Sequence, residues 1–262
     1  MARIFITGSS DGIGLAAAKL LTERGHSVVL HARNADRAAT TRTAIPAAEA
    51  ILIGDLSSIA ETKDLAAQAN ALTKEHGRPF DTIIHNAGIG YGATSSRTIT
   101  PDGISAVFAV NTLAPYILTC LMERPTGRML FMSSDSHYSG DERLRGDVTR
   151  SHSYADSKLH DVMLANAFAR RWGKLGVDVV SMHPGWVRTK MGGSVAPGGV
   201  DRPAEALAEW AVGEGRLAGA RNGAFLTTRG EERAHPGAAD VGRQEELLRI
   251  CREVSGVAVP GD

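Results

Sequence analysis

The stretch that decides the fold is RIFITGSSDGIG, residues 3–14. An apolar, β-rich run, RIFIT, ends at three closely spaced glycines, Gly8, Gly12 and Gly14. Residues 12–24 then place apolar side chains at helical spacing, and the glycine that follows them is a common helix terminator. The stretch therefore predicts a strand that turns tightly into a helix.

Strands and helices alternate along the rest of the chain. Strand-like runs are SVVLHA, AEAILIG, FDTIIHN, RMLFMSS, VDVVSMHP and GAFLTT, and helical patterns lie at NADRAATTRTA and near residues 58–76, 102–123, 153–173, 203–214 and 240–254. This alternation predicts a doubly wound α/β sandwich, a Rossmann fold with a parallel sheet of about seven strands flanked by helices on both faces. No linker divides residues 1–262, so we predict a single domain.

The composition excludes several classes of function. Lys and Arg together number 29, as do Asp and Glu, so the formal net charge is zero and no global field attracts nucleic acid or an acidic membrane. Aromatic residues make up only 5%, which argues against base-stacking surfaces. The longest apolar runs have the length of strands, so we expect no membrane span.

The cysteine and histidine content argues against a disulfide framework and against a metal site. Two cysteines make no disulfide framework, and no HExxH or CxxC spacing suggests a metal site. The first strand begins near residue 3, which leaves no room for a signal peptide. We therefore expect a cytoplasmic protein without a bound metal.

The glycines lie where a strand ends and a helix begins, at the edge of an α/β sheet where ligands bind. Glycine lets the backbone approach a pyrophosphate, the helix N-terminus offers unpaired N–H groups, and Ser9 and Ser10 add hydroxyls. A plain turn that needs positive φ is the alternative. The residues that end the second strand favour a dinucleotide: LHARN places Arg33 and Asn34 there, without an acid. An arginine at this position accommodates a 2′-phosphate, so we predict NADP(H), although Arg33 is also compatible with a solvated helix start.

At this point the chain resembles the short-chain dehydrogenases/reductases. TGSSDGIG resembles the family's TGxxxGxG motif, GDLSS (54–58) its adenine-contacting segment, and HNAG (85–88) its NNAG, with His85 in place of the first Asn. The resemblance implies cofactor binding by residues that we list together: Thr7, Gly8, Ser9, Ser10, Asp11, Gly12, Ile13, Gly14, Arg33, Asn34, Asp55, Leu56, Asn86, Ala87 and Gly88.

The motif YADSK carries the chemistry. Tyr154 and Lys158 are four apart on one predicted helix, so phenol and ammonium share a face. A neighbouring ammonium stabilises the phenolate, which makes Tyr154 usable as a proton donor or acceptor. As a bare pattern YxxxK is more often a solvated helix face. The resemblance implies the catalytic pair, with Lys158 also holding the nicotinamide ribose.

By the same resemblance, Ser134 polarises the substrate carbonyl and Asn111 holds a water in the proton relay. Ser133 is the alternative to Ser134, and a helix kink near Pro115 is the alternative role for Asn111. HPGWVRT (183–189) resembles the family's PGxxxT segment. This segment implies nicotinamide contacts from Pro184, Gly185, Val187 and Thr189.

We therefore expect an NADPH-dependent carbonyl reductase or alcohol dehydrogenase that acts on a small-to-medium carbonyl or alcohol. Arg33 indicates NADP(H), and cells keep their NADP pool mostly as NADPH. We therefore expect the enzyme to work in the direction of carbonyl reduction. A redox-inactive NADP-binding protein is the alternative, and a serine hydrolase is disfavoured because GGSVA (192–196) lacks the last glycine of GxSxG.

Two further expectations concern the surroundings of the site. The 20 residues from Ser134 to Tyr154, and HPGWVRT, resemble the retinol-dehydrogenase-like branch, and residues 189–203 should form a lid over the substrate. The resemblance also implies a homodimer or homotetramer paired through the helices near 102–123 and 153–173. The apolar side chains of the second helix are equally compatible with packing on the sheet alone.

Overall fold

The architecture is an eight-stranded sheet with helices on both faces. In a computed structural model of the protein, residues 1–90, 98–150 and 153–261 are described. The strands are β1 (Arg3–Ile6), β2 (Ser27–Ala32), β3 (Ala50–Ile53), β4 (Thr82–His85), β5 (Arg128–Met132), β6 (Asp178–His183), β7 (Phe225–Thr227) and β8 (Gly230–Glu232). Their order in the sheet is β3-β2-β1-β4-β5-β6-β7-β8. The predicted doubly wound α/β fold is confirmed.

The helices connect the strands as expected for parallel crossovers. They are α1 (Gly12–Glu23), α2 (Ala35–Ala44), α3 (Ile59–His76), α4 (Ala106–Phe108), α5 (Ala114–Leu121), α6 (Tyr154–Trp172), α7 (Asp201–Val212) and α8 (Val241–Ser255). Short 3-10 helices lie at Asp135–Ser139, Gly173–Leu175 and Pro236–Ala239. That residues 1–262 form a single domain stays a prediction.

Two elements differ from the sequence prediction. The eighth strand, β8, pairs antiparallel with β7, and its sequence GEE carries no apolar residue that could have revealed it. The helix predicted near 102–123 begins at Ala106 and contains a π-helical segment, Ala109–Leu113. Residues 151 and 152, in the polar stretch before Tyr154, lie outside the described residues.

Alternation along the strands divides the core into two layers. In β1, Ile4 and Ile6 pack with Leu21 of α1 and Trp210 of α7, while Phe5 belongs to the layer under α3, α5 and α6. All five side chains are buried. Strands buried on both faces in this way require the continuous apolar runs seen in the sequence, because helices cover both sides of a parallel sheet.

His85, at the end of β4, is a buried polar residue in this core. Its Nε2 lies 2.9 Å from the Thr119 hydroxyl, and its ring lies 4.8 Å from that of Phe131. Burial lowers the pKa of His85 from 6.5 to about 3. The folded protein therefore holds His85 neutral, whereas the unfolded chain takes up a proton below about pH 6.5.

We expect His85→Asn to reduce the acid sensitivity of the fold. Below about pH 6.5 this histidine costs ~1.4 kcal/mol of stability per pH unit, until its folded pKa of about 3 is reached. Between pH 7 and pH 4 the free energy of unfolding of the wild type should fall by about 3 kcal/mol more than that of the variant. Urea unfolding at both pH values measures this difference. His76→Asn, at an exposed histidine, is the control, and equal losses in wild type and H85N would contradict the assignment.

Candidate active site

A cavity of about 570 Å³ opens at the carboxyl ends of the central strands. Fifteen of the residues predicted from the sequence line it: Gly8, Ser10, Asp11, Gly12, Ile13, Arg33, Asp55, Leu56, Asn86, Ala87, Gly88, Tyr154, Lys158, Pro184 and Thr189. The other predicted residues lie outside this lining: Thr7, Ser9, Gly14, Asn34, Asn111, Ser134, Gly185 and Val187. One cavity thus brings the glycine-rich loop and the YADSK pair together.

The glycines of the loop after β1 are required by close backbone packing. Gly8 has φ +63°, and a Cβ there would lie 2.7 Å from the Ala87 Cα. A Cβ at Gly14 would lie 2.5 Å from the Asn86 amide nitrogen. Gly8 therefore has the positive φ expected of a plain turn, and both glycines let the loop lie against the segment after β4.

Asn86 and Thr7 join that segment to the loop. The Thr7 hydroxyl accepts from the backbone N–H groups of Asn86 and Ala87, each at 3.0 Å. The Asn86 side-chain amide donates to the carbonyls of Thr7 (2.9 Å) and Gly8 (3.1 Å). These two side chains hold the ends of β1 and β4 in place, so they act on the cavity through the backbone.

Ser9 and His31 hold the same loop from the side of β2. The buried Ser9 hydroxyl donates to the Ile6 carbonyl (2.8 Å) and accepts from the His31 N–H (2.9 Å). His31 Nδ1 accepts from the Gly8 N–H (3.0 Å), and its Nε2–H donates to the Gly54 carbonyl (2.8 Å). Burial lowers the pKa of His31, so the ring is neutral and able to accept. Ser9 thus serves the loop, while Ser10 lines the cavity.

Basic side chains lie at the mouth of the cavity, next to the end of β2. Arg33 is exposed and lines the cavity, and so does Arg37, one turn later in α2. Asn34 is the N-cap of α2, where its side chain accepts from the Arg37 N–H at 3.0 Å. The Asp11 carboxylate lies 3.6 Å from Arg37 and 2.5 Å from Lys190. Two guanidinium groups therefore face one side of the cavity.

Beyond this mouth, the cavity is walled by apolar and hydroxyl side chains. The Asp55 carboxylate accepts from the N–H (2.9 Å) and hydroxyl (2.8 Å) of Ser57, which fixes the turn after β3. Leu56, Ile89 and Val110 line the cavity beside it. This wall offers apolar surface with one carboxylate, a combination suited to a heterocyclic base and its sugar.

The start of α6 presents Tyr154 and Lys158 to the cavity. The helix begins with a capping box in which Ser153 and Asp156 bond each other's backbone N–H, which makes Tyr154 its first residue. Tyr154 is half-buried, and the Lys158 Nζ lies 5.6 Å from the centroid of its ring. The predicted pair therefore shares one face, with the ammonium beside the phenol.

Lys158 is buried, and among the described residues it makes two hydrogen bonds. Its Nζ donates to the Met132 carbonyl (2.7 Å) and to the Asp161 carboxylate (2.9 Å). Burial alone would lower the pKa of Lys158, but the facing Asp161 carboxylate raises it above its ordinary value. Lys158 is thus held as an ammonium.

The two serines after β5 have different surroundings. The buried Ser133 hydroxyl donates to the Lys158 carbonyl (2.6 Å) and lines the cavity. The half-buried Ser134 hydroxyl donates to the Asp135 carboxylate (3.0 Å) and begins the 3-10 helix Asp135–Ser139. Ser133 is therefore committed to α6, whereas the Ser134 hydroxyl lies among exposed polar groups that a substrate could replace.

Two neutral histidines hold the turn at Ser134. His137 Nδ1–H donates to the Ser134 carbonyl (2.6 Å), and its Nε2 accepts from the His235 N–H (3.1 Å). His183 Nδ1 accepts from the Asp135 N–H (3.2 Å). Burial lowers the pKa of His137 and of His183. These contacts give His183 a structural function.

Asn111 lies in the π-helical segment Ala109–Leu113. Its side-chain oxygen accepts from the Ile89 N–H (2.8 Å), and its amide donates to the Ile89 carbonyl (2.9 Å) and the Ser157 hydroxyl (3.0 Å). Pro115, four residues on, has no N–H for the Asn111 carbonyl, which explains why the helix widens here. A Cβ at Gly88 would lie 3.5 Å from both the Asn111 Oδ1 and the Lys158 Nζ, so the two groups flank the same glycine.

The predicted lid begins over the cavity. Gly185 has φ +92°, and Val187 is buried and pairs with Gly198 in an isolated bridge. A Cβ at Gly12 would lie 3.3 Å from the Thr189 methyl. The Met191 sulfur lies 3.8 Å from the Tyr154 hydroxyl. That residues 189–203 act as a lid stays a prediction.

Among the titratable residues at this site, sequence reasoning did not single out His31, Arg37, Asp161 and Lys190. The period of two in a strand places His31 on the side of Arg33, and helical spacing places Arg37 one turn after it. Asp161, three residues after Lys158, lies on the same helix face. Lys190 gave no such signal.

Within the described ranges, no cluster of three or more His, Cys, Asp or Glu side chains could hold a metal, and no helix is long and apolar enough to cross a membrane.

Comparisons with known proteins agree with this geometry. The family model for short chain dehydrogenases matches residues 2–198. An uncharacterized oxidoreductase of Emericella nidulans is 71% identical over the full length of both chains. Retinol dehydrogenase 12 of Bos taurus is 30% identical, over 72% of this chain and 62% of that protein.

A solved structure has the same fold. The NADPH-bound carbonyl reductase from chicken fatty liver superposes with a TM-score of 0.68 at 24% identity, and covers 89% of this chain and 99% of its own. At this identity the likeness concerns the fold. The resemblance drawn from the sequence motifs, including the retinol-dehydrogenase-like branch, is confirmed.

Proposed function

The chain belongs to the short-chain dehydrogenase family and is an oxidoreductase of that family, and from this premise we propose that it is an NADP(H)-dependent carbonyl reductase. The observation that carries the proposal is that Tyr154 and Lys158 line the same cavity as the glycine-rich loop and Arg33. A cofactor cradle and a proton-transfer pair thus lie in one site. We expect a small-to-medium carbonyl or alcohol as the substrate.

The residues present fit a nicotinamide dinucleotide. Gly8 and Gly12 bring backbone without side chains to the cavity at the N-terminus of α1, which suits a pyrophosphate. Asp55 and the apolar wall suit the adenosine, and Arg33 and Arg37 suit a 2′-phosphate. When bound, the nicotinamide supplies or accepts the hydride.

The chain's own groups manage the substrate oxygen and its proton. We assign to the Tyr154 hydroxyl the donation of a proton to the oxygen of a carbonyl undergoing reduction, and the reverse transfer in alcohol oxidation. Ser134 donates a hydrogen bond to the same oxygen and polarises the carbonyl. Its place at the start of a 3-10 helix held by His137 and His183 supports a fixed orientation.

Lys158 has two functions in this assignment. Its ammonium lies beside the Tyr154 ring and stabilises negative charge on the phenol oxygen, and its remaining N–H serves the nicotinamide ribose. Asn111 and Lys158 flank Gly88, an arrangement that supports a water-mediated proton relay to Tyr154. We expect the enzyme to work in the cytoplasm as a homodimer or homotetramer.

The test of the proposal compares the two cofactors. Titrations followed by nicotinamide fluorescence should show that the wild type binds NADPH more tightly than NADH. Arg33→Ala should weaken NADPH binding about 10- to 100-fold, because a charge-assisted bond to the 2′-phosphate is lost, and should leave NADH binding unchanged. Arg124→Ala, at an exposed arginine outside the cavity lining, is the control.

Activity is measured on the same proteins. A panel of aldehydes and ketones should be reduced with oxidation of NADPH by the wild type. Equal binding of NADH and NADPH would refute the 2′-phosphate assignment. Absence of binding by either cofactor would refute the proposed function altogether.

A further inference from the structure

A second buried charge lies next to Lys158 and has no part in the proposed function. Asp161 is one helical turn after Lys158 in α6, and its carboxylate accepts from Nζ at 2.9 Å. The side chains of Lys158 and Asp161 are 4% and 3% exposed. Two opposite charges are therefore paired in a region from which water is excluded, directly behind the cavity.

This pairing changes what Lys158 offers to Tyr154. An isolated buried ammonium would strongly favour phenolate on a neighbouring tyrosine, whereas an ammonium paired with a carboxylate contributes little net charge. Two of the three N–H groups of Lys158 are also committed, to Asp161 and to the Met132 carbonyl. Only one remains for any other acceptor.

Three histidines on α6 and the elements around it have partners other than Asp161. His137, in the 3-10 helix before α6, bonds the Ser134 carbonyl, and His183 of β6 bonds the Asp135 N–H. His160, on α6 itself, lies 3.3 Å from the Thr112 hydroxyl. Among the described residues, the charged group that acts on Asp161 is Lys158, and burial raises the pKa of Asp161 to about 7.

We infer that Asp161 is a positioning residue that compensates the charge of Lys158 and thereby keeps Tyr154 in the protonated form that donates to a carbonyl. The inference rests on the proposed function, and it deepens that function by assigning the pH range of carbonyl reduction to a named residue. Without the Asp161 charge, the Tyr154–Lys158 pair carries one more net positive charge. It should then release its first proton at lower pH, from Tyr154, because negative charge on the Tyr154 oxygen also raises the pKa of Lys158 and keeps it an ammonium.

The variant Asp161→Asn tests the inference, because asparagine keeps an oxygen for Lys158 but removes the charge. We expect the alkaline limit of carbonyl reduction by D161N to move to lower pH by about one unit. The ultraviolet absorbance of tyrosinate, taken as the difference between D161N and D161N/Y154F, should appear at correspondingly lower pH than the same difference for wild type and Y154F. Glu75→Gln, which removes an exposed carboxylate of α3 outside the cavity lining, should leave both unchanged.

The absorbance titration needs neither cofactor nor substrate. If the wild type reduces no carbonyl, the proposed function fails, while the tyrosinate titration still tests Asp161. Superimposable titrations for wild type and D161N would overturn the inference, and so would an alkaline limit that moves without any change in tyrosinate. If D161N does not fold, Asp161→Ser serves the same comparison and should give the same downward shift.

Discussion

Replacement of Tyr154 by phenylalanine should reduce the rate of carbonyl reduction about 1,000-fold while NADPH still binds. The phenol is the group proposed to donate the proton, and positioned acid–base groups contribute roughly 10²- to 10⁴-fold. The half-buried ring remains in Y154F, so the cavity keeps its shape. Steady-state rates with NADPH and an accepted carbonyl compound, together with fluorescence titration of NADPH, measure the two effects separately.

Tyr116→Phe is the matched control for the loss of a phenol oxygen. Tyr116 is buried in α5, and its hydroxyl donates to the Val257 carbonyl at 2.7 Å, away from the cavity lining. We expect Y116F to lower the free energy of unfolding by about 1 kcal/mol and to leave the rate unchanged. A Y154F enzyme with wild-type activity would contradict the assigned proton donor.

Gly8→Ala should destabilise the fold and weaken NADPH binding together. A side chain at φ +63° costs about 1–2 kcal/mol, and its Cβ would lie 2.7 Å from the Ala87 Cα. The backbone must move to relieve that contact, so we expect a total loss of about 2–5 kcal/mol in the free energy of unfolding. NADPH affinity should fall at least about tenfold, because the moved backbone carries the N–H groups at the start of α1.

Gly25→Ala separates the conformational cost from the packing cost. Gly25 has φ +79°, but a Cβ there meets nothing within 4 Å. G25A should therefore lose only about 1–2 kcal/mol and bind NADPH normally. Urea unfolding and fluorescence titration of both variants provide the comparison. If G8A lost no more than G25A and bound NADPH equally well, the loop would not depend on its contact with Ala87.

The sequence predicted those parts of the fold that depend on local patterns. Buried strands on both faces of a sheet must be continuously apolar, so β1 and β4 were recognisable, whereas the exposed GEE of β8 was not. The π-helical segment at Asn111 could not be predicted from the sequence either. Only the nearby Pro115 hinted at it, and proline indicates a local disturbance without specifying its form.

The candidate site also contains residues that local sequence patterns predict and residues that they do not. The sequence predicts the motif residues because glycine, tyrosine and lysine stand at characteristic spacings. Spacing places Asp161 on the helix face of Lys158 but does not reveal that the pair is buried, and the bonds of His31 to Gly8 and Ser9 join segments more than 20 residues apart. Ser9, which the sequence predicts to add a hydroxyl contact to the cofactor, bonds the backbone of its own loop and of β2.

The hydrogen bonds that hold the glycine-rich loop have a consequence for how the protein could change. The buried Thr7 and His31 and the half-buried Asn86 fix this loop by hydrogen bonds, so the cradle has little conformational entropy left to lose when a ligand binds. Arg33, by contrast, projects from the surface at the end of β2, outside that network. The coenzyme preference that we propose for Arg33 is therefore separable from the hydrogen bonds that hold the cradle. A lineage or a protein engineer could change that preference at Arg33 without building a new cradle.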